Sequence, residues 1–244
     1  MSTETPGKRH FHDELDALQD LLLAMAGRAE QSVARAIHAI RTGDIAVAPE
    51  LRQADLTIDE METEVDERVA ELLALHQPMA TDLRFVLTSF KVSNDVERVG
   101  DHAVNIARAV RRMRKSSPPP EIRELEEMAL IAQEMLGDAL AAFVARDASS
   151  AQRVRATDDR VDNLRKSLFR IMVSYMLEDP RNIGGGLEIL LISQNLERIA
   201  DLATNIAEDV IYLVEGRQTG AGARSRADHD ASPAGEDEEG EAGP

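Results

Sequence analysis

The chain has 244 residues, 43% hydrophobic and 30% charged, with a formal net charge of −17, 3% aromatics, no Trp and no Cys. Without Cys, disulfides, thiolate catalysis and Cys-ligated zinc or iron–sulfur centres are excluded. Acidity of this degree also argues against nonspecific nucleic-acid binding and docking on anionic lipid, and leaves cations or basic partner surfaces as the compatible ligands.

Residues 1–11 read as a disordered lead-in without an apolar signal core, so the expected location is the cytoplasm. From His12 to Arg41, Leu15, Leu18, Leu22, Met25, Ala29, Val33, Ala36 and Ile40 recur at helical spacing. Thr42-Gly43-Asp44 stops this first helix, and Asp44 is placed to cap the next. The second helix, 49–75, ends at His76-Gln77-Pro78, because the residue before proline is pushed out of the helical region. A third, 80–115, reaches Ser116-Ser117-Pro118-Pro119-Pro120, which cannot be helical and divides the chain. The pattern then restarts. A fourth helix covers 121–146, and Asp147 stands where Asp44 stood. A fifth ends at Glu178-Asp179-Pro180, Asn182–Gly186 reads as a Gly-rich turn, and a sixth runs to Glu215. The remainder, 216–244, is expected to be an acidic disordered tail. The longest stretch free of charged side chains, Leu72–Thr81, is far short of a membrane span. The expected fold is all-α: two tandem, internally duplicated three-helix bundles, 12–115 and 121–215, joined by the linker 116–120.

The duplication is plainest in one pair of stretches. Val92–Val110, VSNDVERVGDHAVNIARAV, returns one hundred residues later as Ile192–Val210, ISQNLERIADLATNIAEDV, with nine of the nineteen positions identical. In each copy the apolar residues follow a 4-3 spacing, Val92, Val96, Val99, Ala103, Ile106, Val110 and Met113 in the first. This is the seam of a long amphipathic helix. Glu97, Asp101 and Asn105, with Glu197, Asp201 and Asn205, fall on a stripe roughly opposite that seam. A core does not require polar residues to recur at one offset.

Asp55 and Asp59 on the second helix match Asp158 and Asp162 on the fifth, and Glu97 and Asp101 match Glu197 and Asp201. Carboxylates four apart on a helix repel mildly, so four such pairs at matched positions point to a shared hard cation on or near the surface; the alternative is a solvated acidic face. Arg98 and Arg198 read as i,i+3 salt-bridge partners of Asp101 and Asp201, with an anion site as the alternative. No Glu stands three residues before a His, as the di-iron bundles require, and Gly184-Gly185-Gly186 lacks the lysine and strand of a nucleotide loop. The sequence offers little for an enzyme to be built from.

QPMATDLR (Gln77–Arg84), NDVERVGDHAVNIA (Asn94–Ala107) and NLERIADLATNIAE (Asn195–Glu208) resemble the PhoU family, the accessory proteins of phosphate-specific transport. The resemblance covers about His12 to Glu215. It implies metal sites at Asp55, Asp59, Glu97 and Asp101 and at Asp158, Asp162, Glu197 and Asp201, holding iron or zinc, or another divalent cation such as magnesium or manganese. Asn105, Asn205, Glu208, Arg98 and Arg198 would lie around them. Arg108 stands where the second copy has Glu208, which makes the second site the expected holder of a metal. The resemblance further implies a non-enzymatic regulatory adaptor that restrains phosphate uptake and the phosphate-starvation regulon. Its expected partners are the ATPase subunit of the phosphate ABC importer and a sensor histidine kinase, at the inner face of the membrane. A homodimer is expected from the long apolar seams. The competing readings are a metal-dependent hydrolase or oxidase using the carboxylates, and a purely structural helical scaffold.

Overall fold

The computed structural model describes residues 6–113 and 122–216. Among them are α1 (Pro6–Thr42), α2 (Val47–His76), α3 (Ala80–Met113), α4 (Arg123–Ala145), α5 (Ala148–Glu178) and α6 (Ile183–Glu215), with a single 3-10 turn at Pro180–Asn182 and no strand. The linker 116–120 and the tail beyond Gly216 lie outside the described residues. α1–α3 form one antiparallel bundle and α4–α6 the other. They share one continuous core, because α3 packs on α6 and α1 touches α4.

The α3–α6 contact is antiparallel about a local two-fold axis. Lys91 meets Asp209, Arg112 meets Glu188, and His102 Nδ1 lies 2.9 Å from Asn195 Oδ1. As the index rises on one helix it falls on the other, and the midpoint is near Gly100 and Ala200. The seam residues Val92 to Val110 and Ile192 to Leu213 are all buried, as are Ser93, Gly100, Val104 and Ala107 on a second face of α3. The expected narrow seam is therefore too narrow: each of these helices is covered by its own bundle and by its twin. The seams are consumed within the chain and supply no surface for a second copy.

Three local expectations are corrected. α1 begins at Pro6, inside the expected lead-in, because its first turns are held by the end of α2: the Phe11 ring sits 5.1 Å from that of His76, and Glu14 pairs with His76 Nε2 at 2.8 Å. Periodicity carries no trace of such a contact. Ala46, not Asp44, is the N-cap of α2, although Asp44 Oδ1 accepts from the Ala46 amide at 2.9 Å; Asp147 does cap α5, accepting from Ser149 N at 2.9 Å. Gly184–Gly186 is not a turn but the first turn of α6. A Cβ on Gly186 would lie 2.7 Å from Met176 Cγ, so the missing side chain lets α6 start hard against α5. Gly186→Val is therefore expected to destabilise the fold by about 1–3 kcal/mol. Gly184→Ala, at an exposed position, should gain helix propensity up to about 1 kcal/mol. Thermal melts of the two variants should move in opposite directions.

α4 alone among the described helices is long and apolar enough to cross a membrane by length and composition, yet more than half of that stretch is buried in the protein. Leu125, Met128, Ile131, Met135 and Leu136 fill the core, and Glu134 and Asp138 interrupt the apolar run.

Candidate functional site

The first set of matched carboxylates comes together where α2 packs on α3. Gly100 sets the approach: a Cβ there would lie 3.1 Å from both Asp55 Oδ1 and Ile58 Cδ1. The Asp55 carboxylate thus rests against the α3 backbone, one residue before Asp101. Desolvation first, then the charges of Asp101 and Asp59, push the Asp55 pKa up to about 6, against partial relief from Arg108 and Arg52. Desolvation, followed by Asp101, Glu62, Asp59 and Asp55, pushes Glu97 up to about 7. The four acids form one electrostatic unit, joined by Glu62. Asp101 is exposed, whereas Asp55, Asp59, Glu97 and Asn105 are half-buried. The stripe expected opposite the seam in fact borders the α2–α3 contact, since α3 is covered on two faces. Arg108 donates to Asn105 Oδ1 at 3.1 Å.

The second set is assembled in the same way on α5 and α6, but cations accompany it. Arg165 donates to Glu197 Oε1 at 3.2 Å, Arg198 reaches Asp201 Oδ2 at 3.1 Å, Arg155 lies 3.2 Å from Glu208, and Lys166 lies 3.7 Å from Asp162. Thr204 Oγ1 donates to Asp158 Oδ1 at 3.3 Å. Burial raises the Asp158 and Glu197 pKa values, assisted by Asp201, but Thr204 lowers the first and Arg165 and Arg198 lower the second. Glu197 Oε2 is buried without a hydrogen-bond partner. Arg198 thus makes the expected bridge to Asp201, while Arg98 turns back to Asp95, at 3.8 Å, and not forward to Asp101. A pocket of about 240 Å³ brings Arg98 and Arg198 together with Asp158, Asp201, Thr204 and Asn205 beside the local two-fold axis.

Both clusters offer the oxygen donors a hard cation takes. As the side chains stand, no group of three or more acids or imidazoles among the described residues converges tightly enough to cage an ion. The donor chemistry fits; the ligand geometry would need the side chains to turn inward.

A further acidic pair escaped the sequence reading. Asp95 on α3 and Asp209 on α6 face each other across the bundle contact, their side chains 13% and 15% exposed. Burial and then Asp209 push the Asp95 pKa up to about 6, although Arg98, a hydrogen bond from Asn205 and Lys91 act to lower it. Asp209 is also raised by burial, while Lys91 donates to it at 2.8 Å. The copies carry Asn195 and Ala109 at the equivalent positions, so a search for matched residues discards this pair. The signal lay in the mismatch.

The family model described as PhoU domain matches residues 22–110 and 125–210, one match to each bundle. The phosphate-specific transport system accessory protein PhoU homolog of Rhizobium meliloti is 37% identical over 209 residues, covering 85% of this chain and 88% of that protein. The homolog of the same description from Pseudomonas aeruginosa is 39% identical, covering 85% and 86%. The crystal structure of PhoU from Pseudomonas aeruginosa superposes with a TM-score of 0.82 at 39% identity, over 85% of this chain and all of that one. The phosphate transport system regulatory protein PhoU from Streptococcus pneumoniae gives 0.80 at 30% identity, over 86% and 99%. With likeness in both bundles, in sequence and in fold, the chain belongs to the PhoU family of phosphate-transport accessory proteins.

Proposed function

We propose that this protein is a non-catalytic regulatory adaptor of phosphate uptake. It conveys the state of the phosphate ABC importer, through the importer's ATPase subunit, to a sensor histidine kinase, and restrains transport and the phosphate-starvation regulon when phosphate is plentiful. It acts in the cytoplasm, at the inner face of the membrane through those partners. The observation that carries this reading is that the likeness to phosphate-transport accessory proteins runs through both bundles and not through one module of a larger assembly. A rigid double bundle with chemically different faces suits a protein that must touch two partners. Deleting the gene, in a strain with no other gene of this family, should switch on phosphate-starvation promoters in phosphate-rich medium. A reporter that stays silent there overturns the reading.

We further propose that a divalent cation acts at the Asp55–Asp59–Glu97–Asp101 cluster in preference to its twin, the reverse of the expectation drawn from Arg108. Charge balance supports this. Arg108 and Arg52 act on Asp55 without an ion pair to it, and Arg108 donates to Asn105, whereas Arg165, Lys166 and Arg198 each pair with a carboxylate of the second cluster and would have to be displaced. Glu197 Oε2 accepts no hydrogen bond, but Arg198 Nε lies 4.0 Å from it and the other oxygen of the same carboxylate already holds Arg165.

A further inference from the structure

Between α5 and α6 lies an open groove of about 710 Å³, lined by Arg165, Lys166, Phe169 and Arg170 on one side and by Leu187, Leu190, Leu191, Ser193 and Gln194 on the other. Its apolar residues are unusually open: Phe169 is 56% exposed, Leu187 50% and Leu191 41%. On α6, Leu187, Leu190, Leu191 and Gln194 follow the i, i+3, i+4, i+7 spacing of a face that expects another helix. α5 and α6 already bury their other faces against each other and α4, and α6 against α3 as well, so this face has no partner within the described residues.

The rim is cationic in a chain of net charge −17. Arg165 and Lys166 lean toward Glu197 and Asp162, while Arg170 makes no ion pair among the described residues. The duplication supplies a control. At the positions equivalent to Arg165, Lys166, Phe169 and Arg170, the first half carries Glu62, Thr63, Asp66 and Glu67. Two of the three leucine positions stay apolar, with Leu87 and Phe90 exposed where Leu187 and Leu190 stand, while Lys91 takes the place of Leu191. Along the helix that carries Phe169 one groove has thus become basic and its counterpart acidic, and the exposed aromatic sits on α5 in the second half but on α3, as Phe90, in the first. A groove needed only for folding has no reason to invert its charge.

We propose that the α5–α6 groove is a docking site for an amphipathic helix of a partner protein, one that carries acidic residues flanking an apolar stripe. The lining spans about two helical turns, which accommodates anchors at i, i+3 or i+4 and i+7. Phe169 provides the aromatic anchor such interfaces favour, and Arg170 the unsatisfied charge at the rim. A lipid surface fits less well. The floor of the groove is recessed, with Ser193 buried and Leu190 half-buried, and the rest of the molecule is repelled by anionic headgroups. The inference concerns the groove's chemistry and does not depend on the regulatory reading above; a silent reporter in the deletion strain leaves it standing.

The test uses the full chain and two designed, dye-labelled helices of about 18 residues. Both have the same leucine stripe, flanked by Glu in one and by Lys in the other. The acidic peptide should bind, against the protein's net charge, in an anisotropy titration. Phe169→Asp or Arg170→Glu should weaken it at least about tenfold, while any binding of the basic peptide is unaffected by Phe169→Asp. Both residues are exposed, and circular dichroism verifies that the variants are folded. Absence of acidic-peptide binding overturns the proposal, as does binding unchanged by either variant. It is also overturned if Phe169→Asp instead abolishes cosedimentation with phosphatidylglycerol vesicles, which assigns the groove to membrane. Dissociation of a self-associated form in sedimentation velocity on making that change assigns it to a second copy and likewise overturns the proposal.

Discussion

Changing Glu97→Gln together with Asp101→Asn should abolish the thermal stabilisation that manganese, iron(II) or zinc gives the protein. A cation supplied at about a hundred times its dissociation constant stabilises the folded state by about 2.7 kcal/mol. For a chain of this size that is a rise in melting temperature of roughly 5–10 °C. The matched change on the other half, Glu197→Gln with Asp201→Asn, should leave the shift in place, because those carboxylates are already occupied by Arg165 and Arg198. Without metal, the first variant should melt slightly higher than the parent, by less than about 1 kcal/mol, since it removes repulsion among half-exposed acids. Scanning calorimetry with and without each ion reads both effects. A parent protein indifferent to every ion, or a shift lost only in the second variant, refutes the assignment to the first cluster.

The other large effect belongs to Asp95. Its carboxyl is held at about 6 in the folded protein against an ordinary 3.8, chiefly because burial disfavours its charge and Asp209 adds repulsion. Between those values the folded state keeps a proton that the unfolded chain releases, so stability falls as pH rises through that window and does not recover above it. Asp95→Asn removes the penalty and retains an amide at the position, as Asn195 does in the second copy. At pH 7 it should gain about 2–3 kcal/mol, and the advantage should fade as the pH approaches 4. Asp55, Glu97 and Asp209 slope the same way in both proteins. The difference between variant and parent therefore isolates Asp95. An Asp95→Asn protein no more stable than the parent at pH 7 would show that Arg98, Lys91 and Asn205 already offset the burial.

Much of this was legible in the chain itself. The periodicity of Val92–Met113 and its twin located the two central helices, Pro78 and the Asp179-Pro180 pair located breaks, and the matched acids located both clusters. What periodicity cannot report is what lies across a helix from another part of the chain. The start of α1 depends on His76, some seventy residues away. The helical Gly184–Gly186 depends on Met176, and the depth of the polar stripe depends on a neighbour that covers the second face of α3. Matching the two copies found what they share and was blind to what they do not. Asp95, Asp209, Phe169 and Arg170 were invisible for that reason. The cations beside the second cluster, such as Arg165 and Lys166, were overlooked because their counterparts are Glu62 and Thr63.

The antiparallel register of α3 on α6 also bears on descent. A single three-helix unit with this stripe is complementary to itself, so two free units would pair about a two-fold axis as an isologous dimer. Joining them in one polypeptide replaces a concentration-dependent encounter with a permanent one. It also releases a constraint no symmetric dimer escapes: in the dimer each substitution appears on both sides at once. Once fused, one half could gain Lys91 and its twin Asp209, one groove could turn basic and the other acidic, and the acids of one carboxylate cluster could become paired with arginines while those of the other kept theirs at a distance.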